Sequence, residues 1–152
     1  MKTLLLLLSL LLLSACASTP QTKALLDDSS DLPKSHQISN FPFVEQTENY
    51  CGPASLAMVA RFAGRNPSLQ DLGAMMFTPE KKGSFQSDFI GAARRLGLMT
   101  VQVSGLRSIL REVGDNHPVV VLENLGSSQN PLWHYAVLHG YDLSQKEAVF
   151  HS

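Results

Sequence analysis

What this chain lacks narrows it first. Among its 152 residues there are two cysteines, Cys16 and Cys51. It carries no charge excess of either sign, with 12 Lys and Arg against 13 Asp and Glu, and no basic cluster exceeds Lys81-Lys82. A nucleic-acid partner is therefore not expected, because such partners demand a basic face. No Cys-x-x-Cys or His-x-x-x-His pair occurs, and Cys51 plus one histidine are too few ligands for a protein zinc site. No metal or other cofactor is expected. No internal repeat is present. No apolar run is long enough to span a membrane: Leu4 to Leu13, broken only by Ser9, rises about 15 Å as a helix, roughly half the hydrocarbon thickness.

What is there begins with that run. Lys2 before it and small residues after it make it the core of a signal peptide. It ends in Leu13-Ser14-Ala15-Cys16, which resembles the lipobox of bacterial lipoproteins. The resemblance implies removal of residues 1–15 and lipidation of Cys16, which becomes the mature N-terminus. The expected location is the cell envelope, anchored to the membrane by lipid, most simply the outer membrane, and facing the periplasm. With Cys16 lipidated, Cys51 is the one thiol left, and one thiol forms no internal disulfide. Residues 16–37, rich in Ser, Thr, Asp and Gln, read as a flexible tether. Residues 38–152 read as one domain, long enough to build a core.

Within that domain, Cys51 to Ala63 is apolar almost all round and closes at Gly64. A helix without a polar face must be buried, so this is the central helix, with Pro53 tolerated in its first turn. Ser68, with Asp71 three residues on, predicts a capped helix to about Met76. Phe89, Ile90, Ala93 and Leu96 predict another, ending at Gly97, and Leu106, Ile109, Leu110 and Val113 predict an amphipathic helix ending at Gly114. Met99 to Val103 alternates as a short strand. Pro118–Leu122, Leu132–Tyr141 and Glu147–His151 read as strands, the last two joined by a turn at 142–146. Helices before a late antiparallel sheet predict an α+β fold.

Chemistry concentrates around Cys51. At a helix start, unpaired backbone N–H groups and the positive dipole end favour a thiolate. Gln46, on the approach to the helix, carries an amide donor of the kind an oxyanion hole uses. A nucleophilic thiolate also needs a base that becomes the acid for the leaving amine, and imidazole titrates in the right range. Of five histidines, His36 lies in the tether, His117 in a polar turn and His151 near the chain end. His134 opens a strand directly after Trp133, while His139, five residues on, faces the other way by strand alternation. His134 is the expected base. Trp133 and Tyr135 are expected to flank and pack the site, and Gly83-Ser84-Phe85-Gln86 reads equally as a cleft wall or as a helix-entry loop.

The segments Gln46-x4-Cys51-Gly52-Pro53-Ala54-Ser55-Leu56-Ala57-Met58 and His134-Tyr135-Ala136-Val137-Leu138-His139-Gly140-Tyr141 resemble the bacteriocin-processing, double-glycine-leader peptidases. The resemblance implies a papain-like cysteine peptidase fold in which Cys51 is nucleophile, His134 general base and acid, and Gln46 oxyanion donor. It is nearest to free-standing lipoprotein members, with no transporter partner specified. Gln46 precedes Cys51 by one residue fewer than is usual in that group. The family also usually places an Asp or Asn on the strand after the histidine, where this chain has Val149-Phe150-His151-Ser152. His151, Ser152 or a position near 154, past the last residue, is then the orienter of His134. The expected activity is hydrolysis of a peptide or protein substrate. Acyl transfer to an amine uses the same residues, and a peptidase-like module that binds envelope peptides without cutting them is the reading from another class.

Overall fold

A computed structural model describes residues 19–152, so the expected signal peptide and Cys16 lie outside the described residues. The element order is α1 (Pro20–Asp27), β1 (Ser35–Gln37), α2 (Cys51–Phe62), α3 (Leu69–Met76), α4 (Gln86–Arg95), α5 (Leu106–Gly114), β2 (Val119–Asn124), β3 (Trp133–Asp142) and β4 (Glu147–His151). Among these, no helix is long and apolar enough to cross a membrane. The fold is α+β, helices packed on an antiparallel sheet, as expected.

The sheet is organised around β3. Val119 to Asn124 of β2 pair with Leu138 to Trp133, and β4 pairs from Val137↔His151 to Asp142↔Glu147. β1 pairs Ser35 to Gln37 with Asp142 to Gly140. Val137 and Leu138 bond to both β2 and β4, and Gly140 to Asp142 to both β1 and β4. A strand has two edges, so β4 occupies one and β1 and β2 share the other. A register shift at His139 kinks the β3–β4 ladder.

β3 is buried continuously from Tyr135 to Tyr141, because both of its faces are covered. On one face α2 packs through Ala54, Leu56, Ala57 and Met58, joined by Leu72 and Met76 of α3, Phe89 and Ala92 of α4, and Tyr135 and Val137 of β3. The small residues of α2 let its backbone approach the sheet, and burying Leu56 and Met58 each contributes about 1.5–3 kcal/mol. Ser68 caps α3 by accepting from the Asp71 N–H at 3.0 Å, as its spacing predicts. On the other face, Leu110 and Val113 of α5 meet Leu138 and Tyr141 together with Leu25 and Leu32.

Those last two residues correct the tether. Residues 20–27 form a helix with Pro20 at its first turn, and 35–37 form a strand. The Gln21 side-chain oxygen accepts the Leu106 N–H at 2.7 Å, taking the capping role that Gly105 has no side chain to fill. The Asp31 carboxylate meets both Arg107 and Arg111. Residues 19–37 are thus a strap laid over α5 and zipped to the sheet. A second correction concerns Met99 to Val103, which pairs with no strand. Met99 and Val101 are 90% and 70% exposed, so the alternation finds no layer to bury it.

Candidate active site

α2 starts at Cys51, and its N-cap, Tyr50, offers no side-chain hydrogen bond. Pro53 lacks an N–H, so the donors left at the helix tip are the Cys51 and Gly52 amides. Asn49 reaches that tip through a left-handed φ of 66°, a conformation Asn tolerates better than most residues. Tyr50 is wedged against α3 and packs on Phe77, ring centroids 5.0 Å apart. A methyl at Gly73 would sit 2.6 Å from the Tyr50 hydroxyl, so α3 needs glycine there. Cys51 is a half-buried free thiol packed against the main core.

Over this tip lies the loop entering α4. A side chain at Gly52 would meet the Ser84 hydroxyl at 2.8 Å, so glycine after the cysteine lets the loop close down on the helix. The loop is also the N-cap region of α4, through Phe85; it is therefore both a helix entry and a wall beside Cys51. Tyr135 ties it in place. Its hydroxyl donates to the Ser84 carbonyl at 3.4 Å, and its ring stacks on Phe89 at 5.2 Å. Burial, then the charge of a Cys51 thiolate, then Asp88, push the Tyr135 phenol up to about 12. At neutral pH it stays a protonated donor. Tyr135 packs the site as expected, whereas Trp133 does not: it is 59% exposed.

Of the three residues singled out for catalysis, the structure brings Cys51 to the end of the core where β3 begins, against Tyr135. His134, the preceding residue, is half-buried and lies opposite Glu123 of β2. Tyr135 and Val137 point into the α2 core, so alternation directs the intervening positions to the other face. Gln46 is half-buried on the irregular approach that Phe41 and Val44 pin to the core. Among the described residues, no hydrogen bond joins Cys51, His134 and Gln46 to one another.

The remaining histidines are engaged elsewhere. His36 bonds Asn116 at 3.1 Å and His117 bonds Glu112 at 2.9 Å. His151 pairs with Val137, three residues or about 10 Å along β3 from His134. It takes the Pro42 carbonyl at 3.3 Å and lies 4.1 Å, centroid to centroid, from His139. It does not orient His134, which corrects that expectation. The same register, carried on, sets Ser152 opposite Ala136, so Ser152 is not the orienter either. His139 is 2% exposed, stacks on Phe41 at 5.1 Å, and neither ring nitrogen has a partner. Burial first and His151 second hold its pKa below the ordinary value, which keeps it neutral.

The residue that motif reading passed over is Gly52, whose lack of a side chain lets the Ser84 loop close on the helix tip. Its signal was the Cys-Gly pair itself, whose glycine implies a close backbone approach.

The peptidase domain of Streptococcus ComA, described as a bifunctional ABC transporter involved in a quorum-sensing pathway, superposes with a TM-score of 0.52 at 24% identity. The match covers 74% of this chain and 87% of that domain, and shows the shared fold. Among curated proteins, none matches. The profile of the Peptidase_C39 like family matches residues 38–151, from the last residues before the Cys51 approach to the end of β4. The chain therefore belongs to the Peptidase_C39 like family, as the resemblance to bacteriocin-processing peptidases implied.

Proposed function

We propose that this chain is a cysteine peptidase that hydrolyses peptide bonds through an acyl-enzyme, held to the bacterial envelope by lipid on Cys16. One observation carries the reading: in a chain of this family, a free cysteine sits at the uncapped tip of a buried helix, beside the start of the histidine-bearing strand. The Cys51 thiolate attacks the scissile carbonyl carbon, and the electron pair moves onto the carbonyl oxygen. The Cys51 backbone N–H and the Gln46 amide donate to that oxyanion. His134 takes the thiol proton and returns it to the departing amine, leaving an acyl-thioester; water, deprotonated by His134, then releases the acid. No hydrogen bond joins His134 to Cys51 among the described residues, and catalytic hydrogen bonds are often long or poorly aligned until substrate binds. The substrate is a peptide, and the location is the periplasmic face of a membrane, the outer one in the simplest reading.

The test is alkylation of Cys51 by iodoacetamide near neutral pH, read by mass spectrometry, alongside turnover of a peptide library. Wild type is expected to label quickly and to cleave. His134→Ala is expected to slow cleavage about 10²- to 10⁴-fold. Slow labelling that His134→Ala leaves unchanged overturns the reading. One observation favours a second reading, a module that binds envelope peptides without cutting them: neither ring nitrogen of His134 has a partner among the described residues. Saturable peptide binding without release of a new amine identifies it.

A further inference from the structure

The strap changes what an anchor at Cys16 does. Were residues 16–37 a free tether, the domain would range tens of ångströms from the bilayer. Instead α1 begins at Pro20 and docks at once on α5. Only residues 17–19 separate Cys16 from that helix, a reach of at most about 14 Å. The start of α1 is therefore held at the lipid surface. What lies beside it is the start of α5: Gln21 bonds the Leu106 N–H at 2.7 Å and lies against Gly105.

The segment leading into that point is residues 98–104, which has no regular structure. Its entrance is pinned by Arg94, whose guanidinium donates to the Thr100 hydroxyl at 3.0 Å, and its exit by the capped start of α5. Between these pins Met99 and Val101 stand 90% and 70% exposed, the two most exposed large apolar side chains among the described residues. Val101 is four residues from Gly105, so it lies within about 14 Å of Gly105, the residue that the Gln21 side chain of α1 reaches. Neither side chain contributes to either core.

We infer that in the anchored protein the 98–104 loop faces the bilayer and sets Met99 and Val101 into its interfacial region, fixing which side of the domain looks toward the membrane. This rests on the lipidation of Cys16 proposed above. Two apolar side chains are too few to hold a soluble domain on lipid. The anchor supplies the effective concentration that makes their insertion favourable. Arg107, adjacent on α5, is already committed to Asp31 and to the Asp28 carbonyl, so the contact is apolar rather than a basic patch reading anionic headgroups. The site at Cys51 then holds a set orientation to the membrane instead of sweeping through solvent.

The experiment is amide hydrogen exchange on the full mature chain in zwitterionic phosphatidylcholine vesicles, with Cys16→Ser and Met99→Asp/Val101→Asp as comparisons. N-terminal mass and vesicle flotation are measured in parallel. Lipidated wild type is expected to float and to exchange amides 99–104 about tenfold more slowly than the Cys16→Ser chain. The double variant is expected to float equally and to lose that protection, with core amides unchanged, since both side chains are exposed. A chain that is lipidated and floats without protection at 99–104 overturns the inference while the anchor stands. A chain without lipid overturns both. Protection that rises with protein density at constant lipid identifies a second copy as the occupant and also overturns it.

Discussion

The two faces of β3 are covered by differently built layers. On the α2 face, the cover is a single apolar cluster running through α2, α3 and α4, and among the described residues no ion pair touches it. On the α5 face, the cluster is smaller and is completed only by Leu25 and Leu32 from the strap, whose rim is polar: Gln21 on Leu106, Asp31 on Arg107 and Arg111. The family match begins at residue 38, so the α2 face lies wholly within it and part of the α5 face is supplied from outside. The difference teaches that the α2 layer holds the candidate chemistry in place by packing, while the strap layer is a smaller unit able to open on its own.

The largest effect belongs to the α2 face. Cys51→Ala is expected to lower peptide turnover by at least about 10⁴-fold while leaving thermal unfolding near that of wild type. Measurable turnover within tenfold of wild type removes Cys51 from the chemistry.

Next is a matched pair of truncations. Leu56→Ala, at a fully buried position of α2, is expected to cost about 3–5 kcal/mol of global stability, and Leu25→Ala, in α1, about 2–3 kcal/mol. The sharper reading is where the loss appears. By hydrogen exchange, Leu25→Ala should release amides of α1 and β1 with the α2 core still protected, whereas Leu56→Ala should lower every protected amide together. Equal loss everywhere in both variants erases the distinction between the two layers.

A smaller effect tests the buried histidine at the far end of the α2 face. His139 is held below its ordinary value of 6.5, so the folded state takes its proton at lower pH than the unfolded chain does. Its contribution is full above the unfolded value and is lost as pH falls through and below it. Urea unfolding at about pH 7 and about pH 5 should show wild type losing more stability than His139→Phe, which retains the aromatic stack on Phe41. Equal losses in the two proteins sink this account.

Smallest of all is Asp31→Asn on the strap. The hydrogen bond to Arg111 is the chief reason the Asp31 carboxyl lies below the usual carboxylate range, but the group is solvent-facing. The loss should be less than that of Leu25→Ala and should fade in high salt, as for an exposed ion pair. A salt-independent loss as large as that of Leu25→Ala would mean that charge, not apolar contact, closes the strap.

Much of this fold was legible from residue order alone. The all-apolar stretch from Cys51 marked α2, Ser68 with Asp71 marked the start of α3, and the period of Leu106, Ile109, Leu110 and Val113 marked α5. These signals are local and repeat at the period of the element they build. The strap was not legible, because Leu25 and Leu32 stand among Asp and Ser without a helical period. They are buried only once α5 exists to receive them. Met99 to Val103 failed in the opposite direction: an alternating pattern describes a strand but supplies no edge for it to join. In the site, the Ser84 carbonyl, Gly52 and Tyr135 meet only through the fold.

By itself, the sequence determined that Cys51 opens a buried helix and that a histidine opens a late strand. Those properties follow from residue type and short-range spacing. Only the tertiary structure decided that residues 20–37 lie on the domain, that His151 belongs to Pro42 and His139 rather than to His134, and that Tyr135 locks the loop over Cys51. Each of these depends on contacts between residues tens of positions apart, and such contacts leave no period in the chain to read.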